Sequence, residues 1–309
     1  MRALVFTKAS TVELQDLDEP RPAPGEVAIR VVASGICGSE LHGVRHTDFR
    51  KPPLVMGHEL AGTTADGRRV TVNPLLSCDS CDQCLRGDEH LCRNRAILGI
   101  HRPGAFAETV VVPEAAVYVI PDSMSFETAA MVEPLANAVH AVRLARPEGN
   151  PRIAVIGAGT IGLVTLLVAL EHSDQVTISD LDEGRLAIAS RLGGRAVTEL
   201  TGEFDIVIDA VGAEQTHKIS VDVLRPGGVA VWIGLLSTQA GFDGQEIVRS
   251  EKRVLGSYCY RRADFAEALE IAGRVRLDWT TTFPFESGAE IFGELLEGRR
   301  DVIKALLQP

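Results

Sequence analysis

The sequence predicts an α/β protein with two domains, one a doubly wound parallel sheet and the other β-rich. Three observations carry this prediction. The N-terminal third is built of short β-branched runs separated by Pro and Gly. From Ser125 onward, apolar strand-like runs alternate with helical stretches, the pattern of a parallel sheet covered on both faces. Four of the six cysteines crowd one polar window inside the β-like part.

The elements follow in order. Residues 3–6, 26–33, 69–73, 107–112 and 116–120 read as strands. Residues 20–25 (PRPAPG) cannot continue a ladder and form a rigid turn. Residues 126–145 are Ala-rich and helical in pattern. Strands at 153–156, 175–179, 204–209 and 229–233 then alternate with helices from Thr160, from Asp182 and around 214–224. Helices at 263–272 and 287–297 and a strand near 302–307 close the chain.

At 309 residues the chain is long enough for two cores. Its hydrophobic content of 45% and charged content of 24% are ordinary for a globular protein. A net charge of −11 argues against nucleic-acid or anionic-membrane partners, because phosphates would be repelled. The longest apolar stretch, 153–170, is interrupted by Gly157, Gly159 and Gly162, which argues against a membrane span. With no targeting segment and metal-type cysteines, a cytoplasmic protein is expected.

Cys78, Cys81, Cys84 and Cys92 form a C-x2-C-x2-C-x7-C run in a lobe at about 77–95. Closely spaced thiolates on a charged loop suit a tetrahedral structural zinc. Disulfides would require an oxidising compartment. An iron–sulfur cluster would share the C-x2-C-x2-C start but expects an x3-C-P ending that is missing here. Solvated free thiols are the remaining alternative.

The run at 153–156 leads directly into Gly157-Ala158-Gly159-Thr160-Ile161-Gly162, and an apolar helix follows. Asp180 stands at the end of the next strand, eighteen positions past Gly162. This is the full context of a dinucleotide turn. Gly157 permits the tight turn, Gly159 lets backbone approach a pyrophosphate, and Gly162 allows close helix–strand packing. The pyrophosphate belongs at the positive helix N-terminus. Asp180 would bond the ribose hydroxyls and repel a 2′-phosphate, so NAD is expected over NADP. Arg185 pulls the other way, since it could reach the ribose edge. The plain alternative is a Gly-rich turn that binds no nucleotide.

A second constellation lies upstream, with Cys37, His58 and Glu59 outside the four-cysteine lobe. A catalytic zinc takes three protein ligands and leaves a position open. Singly, Cys37 reads as a small buried hydrophobe and His58 as a structural histidine.

Together these motifs resemble the zinc-containing medium-chain dehydrogenase/reductase family, which includes alcohol, threonine and sorbitol-type polyol dehydrogenases. The likeness covers nearly the whole chain and keeps the family order: GICGSELH at 35–42, GHE at 57–59, the cysteine lobe, GAFAETVVVP at 104–113, VEPLANAVHA at 132–141, the GAGTIG turn and the region 264–307. The resemblance implies a GroES-like catalytic domain from 1–136 and 263–309, and a Rossmann NAD-binding domain at 137–262.

It also implies residue roles. Cys37 and His58 match catalytic zinc ligands. Glu133 matches the third ligand position, and Glu59 a glutamate that enters or leaves the zinc's coordination. Glu40 stands where the family has Asp to orient the zinc-bound imidazole. It is one methylene longer, which leaves its bond to His58 open. Ser39 and His42 match a relay that passes the substrate proton through the nicotinamide ribose to water. Val211, Gly212, Ile233 and Gly234 match strand ends beside the nicotinamide, and Lys304 matches a basic residue that reaches the pyrophosphate. The stretch 61–69 (AGTTADGRR) replaces a longer family hairpin. Tyr258-Cys259-Tyr260 stands where polyol members carry an Arg-Tyr pair, which argues against simple sorbitol-like recognition.

The implied activity is reversible oxidation of a secondary alcohol to a ketone, with zinc as Lewis acid and hydride transfer to NAD. Glu133 and Asn137 favour a small polar substrate: a polyol, sugar, cyclitol or amino alcohol. Arg45, His46, Arg50 and Lys51 form a basic cluster that either meets a substrate phosphate or carboxylate or is a solvated loop. A redox-neutral NAD-using epimerase or lyase is the rival enzyme, and a non-catalytic binding protein on the same fold the rival class. Iron or cobalt would suit the same ligands. The resemblance implies a homodimer or homotetramer, with strands near 246–248 and 253–256 pairing across the interface.

Overall fold

A computed structural model describes residues 1–45, 50–299 and 301–309. The chain divides into two compact units, one of 1–133 with 272–309 and the other of 134–271.

The first unit is β-rich. Strands β1 (Arg2–Lys8), β2 (Thr11–Asp16) and β4 (Leu54–Val55) form one antiparallel sheet in the order β2-β1-β4. The larger sheet joins β3 (Glu26–Gly35), β5 (Glu59–Thr64), β6 (Arg69–Val72) and β10 (Val117–Val119) to β17 (Thr280–Pro284) and β18 (Lys304–Gln308). Its order is β10-β6-β5-β3-β18-β17, and β9 (Thr109–Pro113) also pairs with β3. Both chain ends thus build one sheet, as the resemblance implies. The segment after β5 is a tight hairpin into β6, in keeping with the trimmed stretch 61–69. Strands β7 (Leu75–Leu76) and β8 (Ala96–Ile97) pair and close the neck of the cysteine lobe. Short helices α1 (Gly38–Gly43), α2 (Asp82–Leu85) and α3 (Phe126–Ala130) decorate this unit, as does α10 (Gly288–Leu296). One core packs Leu4, Phe6, Phe106, Phe285, Phe292 and Leu307, and a second packs Ile29, Val31, Leu60, Val70 and Val110. Helix α4 (Val132–Ala145) begins at the end of this unit and carries the chain into the next.

The second unit is the doubly wound one. Its six parallel strands are β11 (Ile153–Ile156), β12 (Val176–Ser179), β13 (Arg195–Val197), β14 (Phe204–Asp209), β15 (Leu224–Trp232) and β16 (Arg253–Gly256), in the order β13-β12-β11-β14-β15-β16. Every residue of β11 and β12 is buried, the signature of a parallel sheet covered on both faces. Helix α5 (Thr160–Leu170) is apolar nearly all round, because it too is enclosed. Helices α6 (Glu183–Arg191), α7 (Glu214–Asp222), α8 (Gly244–Arg249) and α9 (Arg262–Ala272) complete the unit. The expected strand at 246–248 is instead part of α8. Asp243 caps that helix by accepting from Gln245 N–H at 2.8 Å, a local bond that overrides the β-branched Ile-Val pair.

Candidate active site

Antiparallel pairing sets the metal cluster. Gly35, the last residue of β3, lies opposite Glu59, the first of β5. The turn after β3 therefore carries Cys37 beside His58 and Glu59. Ligand atoms of these three lie within 4.8 Å of one another. Glycine is required around them. A Cβ on Gly35 would stand 2.0 Å from Glu59 Oε2, and Gly57 has φ +97° with a would-be Cβ 2.6 Å from Phe106 N.

Glu40 is fully buried and organises the cluster. Its Oε2 accepts from Cys37 N–H at 3.0 Å and its Oε1 from Gly57 N–H at 2.8 Å. The same Oε1 faces His58 Nδ1 at 3.1 Å, so the extra methylene does reach the imidazole. Burial pushes the Glu40 carboxyl up, but His58, Arg50 and the Cys37 amide outweigh it and hold it below its ordinary range. Burial likewise opposes charge on His58, yet Glu40 and Cys37 raise it well above its usual value. Their polarity favours positive charge among these groups. With its soft thiol, imidazole and carboxylate, the set fits zinc.

Glu133 is buried in the first turn of α4 and is not part of this three-residue group. Ser39 and His42 lie three residues apart on the exposed side of α1, while Glu40 between them points inward.

Lys304, which the resemblance assigns to the pyrophosphate, is held within the first unit. It is 2% exposed, its ammonium pairs with Glu59 Oε2, and it donates to Ile36 O at 2.9 Å. Strand β18 runs beside β3, with Leu306 opposite Gly35, so Lys304 enters at the metal cluster. Burial lowers its affinity for a proton, but Glu59 and Cys37 restore and raise it. A buried ammonium requires such a carboxylate.

The basic cluster is dispersed. Arg50 is fully buried and donates to Ser39 O at 2.8 Å and Gly99 O at 3.3 Å. Arg45 donates to Leu296 O at 2.8 Å, and Lys51 is exposed. His46 lies outside the described residues. Tyr260 is buried against Phe265, with ring centroids 5.7 Å apart.

In the lobe, the four sulfurs also lie within 4.8 Å of one another. The edges Cys78–Cys92, Cys81–Cys84, Cys81–Cys92 and Cys78–Cys84 measure 3.4, 3.5, 3.9 and 4.0 Å. Sulfurs about 2.3 Å from a tetrahedral zinc would be about 3.8 Å apart, so the edges match. Backbone N–H groups of Cys78 and Asn94 reach Cys92 Sγ at 3.3 Å. The Ser80 amide and hydroxyl draw the Cys78 thiol down to about 5. Burial and the neighbouring sulfurs push Cys84 up to about 12. Four thiolates this close cannot all ionise without a cation among them.

The glycine turn after β11 separates its three tasks. Gly157 has φ +93°, in the left-handed region. A Cβ on Gly162 would stand 1.7 Å from Gly157 O, so the helix could not pack there. A Cβ on Gly159 would meet nothing within 4 Å, leaving open space at the N-terminus of α5, where Thr160 and Ile161 form the first turn. Asp180 Oδ2 accepts from Ala158 N–H at 2.6 Å and Oδ1 from Asp182 N–H at 2.9 Å, which aims the carboxylate at this turn. Arg185 lies in the first turn of α6, which Asp182 caps. The cradle suits a dinucleotide pyrophosphate.

Sequence reasoning missed the Lys304–Glu59 pair and the buried Arg50. A lone charge inside the apolar run KALL was the available signal for the first.

Comparison with known proteins identifies the family. Residues 23–122 match the alcohol dehydrogenase GroES-like domain, and residues 160–274 match the zinc-binding dehydrogenase domain. The chain is 30% identical to sorbitol dehydrogenase of Halalkalibacterium halodurans, across 100% of this chain and 99% of the relative. It is 28% identical to L-galactonate-5-dehydrogenase of Escherichia coli K12, across 99% and 98%. A zinc-binding dehydrogenase from Sinorhizobium meliloti, solved with NADP bound, superposes with a TM-score of 0.94 at 27% identity, covering 100% of this chain and 99% of that one.

Proposed function

The chain belongs to the zinc-binding dehydrogenase family with an alcohol dehydrogenase GroES-like domain, and from that premise we propose that it oxidises a secondary hydroxyl of a small polar substrate to a ketone, reversibly and with NAD. The convergence of Cys37, His58 and Glu59 is the observation that carries the reading. Binding alone needs no such ligand set. The relatives acting on sorbitol and L-galactonate support a polyol or sugar-type substrate, and so do the polar Glu133 and Asn137 on α4.

Cys37, His58 and Glu59 would hold a zinc that would supply Lewis acidity, and the glycine turn would hold NAD, which would supply the hydride acceptor. The chain's own residues do the rest. Glu40 fixes the His58 ring through Nδ1 and leaves Nε2 to the ligand position. Lys304 restrains Glu59 through its ion pair, and Glu59 would be a ligand to the metal. Ser39 takes the hydroxyl proton and His42, exposed on the same helix, delivers it to water. Gly157, Gly159 and Gly162 seat the pyrophosphate, and Asp180 the adenosine ribose. The four-cysteine lobe holds a second, structural zinc.

Asp180 supports NAD over NADP, and Arg185 together with the NADP-bound relative makes NADP the comparison cofactor. Strand β16 is the outer strand of its sheet, which supports a homodimer or homotetramer joined there.

The test is reduced-cofactor absorbance across plain and phosphorylated sugar alcohols, cyclitols and amino alcohols, with NAD and NADP in parallel. Turnover of one polar class, with a lower KM for NAD, is the expected result. Product formed without net NADH would overturn the dehydrogenase reading in favour of a redox-neutral one.

A further inference from the structure

In the second unit the strand order reverses between β11 and β14. Ligands of doubly wound sheets lie across the C-terminal strand ends at that point. With a pyrophosphate at Gly159 and the adenosine ribose at Asp180, over β11 and β12, the nicotinamide half extends the other way. It would pass over the ends of β14 and β15, at Val211–Gly212 and Ile233–Gly234. This placement rests on the cofactor reading above.

These two turns interlock. A Cβ on Gly212 would stand 2.2 Å from Gly234 C, and a Cβ on Gly234 would stand 2.2 Å from Val211 C. One residue holds both. Asp209 ends β14 and is fully buried. Its Oδ1 accepts from Val211 N–H at 2.9 Å and Gly212 N–H at 3.0 Å. Its carbonyl accepts from Ile233 N–H at 3.1 Å and Gly234 N–H at 3.0 Å. The second carboxylate oxygen receives His217 Nδ1–H at 2.9 Å.

His217 is itself buried and stacks on Trp232, with centroids 3.9 Å apart and planes at 22°. Trp232 directly precedes Ile233, and its Nε1–H donates to Ser220 Oγ at 2.8 Å. Ser220 Oγ in turn donates to His217 O at 2.7 Å. A turn needs one acceptor, which a neutral Ser or Asn supplies. A buried carboxylate with its own buried histidine is far costlier unless every bond is made.

We propose that Asp209 and His217, braced by Trp232, are positioning residues that fix the nicotinamide half of the cofactor. They act through the two backbone turns and do not touch the reacting atoms.

The test is titration calorimetry of NADH against ADP-ribose, which lacks the nicotinamide. His217→Phe keeps a ring on Trp232 and removes the donor. It is expected to weaken NADH about tenfold while ADP-ribose stays within about twofold. His217→Asn restores a donor and is expected to hold NADH within about threefold of wild type. Equal NADH affinity in wild type and His217→Phe would overturn the proposal. So would equal weakening of both ligands, which is what a merely structural role predicts. Should His217→Phe fail to fold, Asp209→Asn, which keeps an oxygen for the two amides, is read by the same comparison. Wild-type protein that binds neither ligand would overturn the cofactor reading itself, and the inference with it.

Discussion

Gly159 and Gly162 belong to the same turn, yet a methyl group at each has a different consequence. At Gly162 it collides with Gly157 O. Gly162→Ala is expected to lose about 1–3 kcal/mol of stability and its NADH binding together. At Gly159 it meets only open space. Gly159→Ala is expected to keep its Tm and lose NADH affinity alone, because the methyl intrudes only where a pyrophosphate would sit. Thermal melts paired with calorimetry separate the two cases, and a Gly159→Ala protein with unchanged affinity would contradict the placement. Glu40 gives a second prediction at this scale. Glu40→Gln is expected to lower affinity for the metal at Cys37 and His58 by roughly 10- to 100-fold, measured by chelator competition, with the lobe zinc unaffected. The glycines and cysteines were legible in the sequence because their partners lie within a few residues. The roles of Glu40, Lys304 and Asp209 were not fully legible. Each depends on which strand end or turn faces the carboxylate or ammonium, and that is a matter of register and topology.

Between elements, Asp264 joins α9 to α4. It is fully buried, meets His140 Nδ1 at 2.7 Å and accepts from Arg261 N–H at 2.8 Å. Burial pushes its carboxyl up, but His140, the Arg261 amide and Arg143 overcome this and hold it below its ordinary range. A depressed folded value means the contribution is complete above the unfolded value, near pH 4, and is lost as pH falls through the lower folded one. Asp264→Asn is therefore expected to destabilise at neutral pH by about 3 kcal/mol and to flatten the acid limb of unfolding. An unchanged acid limb would contradict the linkage. The cysteine lobe makes the complementary case. Within 78–92 only His90 and Cys92 are buried, so a metal held by the four sulfurs would stand in for a core. Cys84→Ser is expected to leave about one zinc per chain and to expose this segment to limited proteolysis. Element legibility followed burial. The fully apolar run of β11 and the Ile-Val-Ile centre of β14 mark strands whose bounds are those that the sequence predicts. Strands β5 (ELAGTT) and β17 (TTTFP) were missed because small and hydroxyl-bearing residues carry no apolar signal and their pairing is non-local.

At the scale of the molecule, the first unit depends on both chain ends. Strand β18 contributes the fully buried Leu306 and Leu307 to the sheet and brings Lys304 to Glu59. The fold class was legible because two textures, β-branched runs and alternating strand and helix, occupy different parts of the sequence. The return of the C-terminal segment to the first sheet came from the family resemblance, since no local pattern encodes it. Cys37, His58 and Glu59 are proposed to form a catalytic metal centre distinct from the lobe. Metal content and NADH formation, measured together on wild type and Cys37→Ser, test it most directly. Wild type is expected to carry about two zinc per chain and to turn over. Cys37→Ser is expected to carry about one zinc, with no turnover and undiminished NADH binding. A Cys37→Ser protein that kept both its metal and its turnover would contradict the proposal.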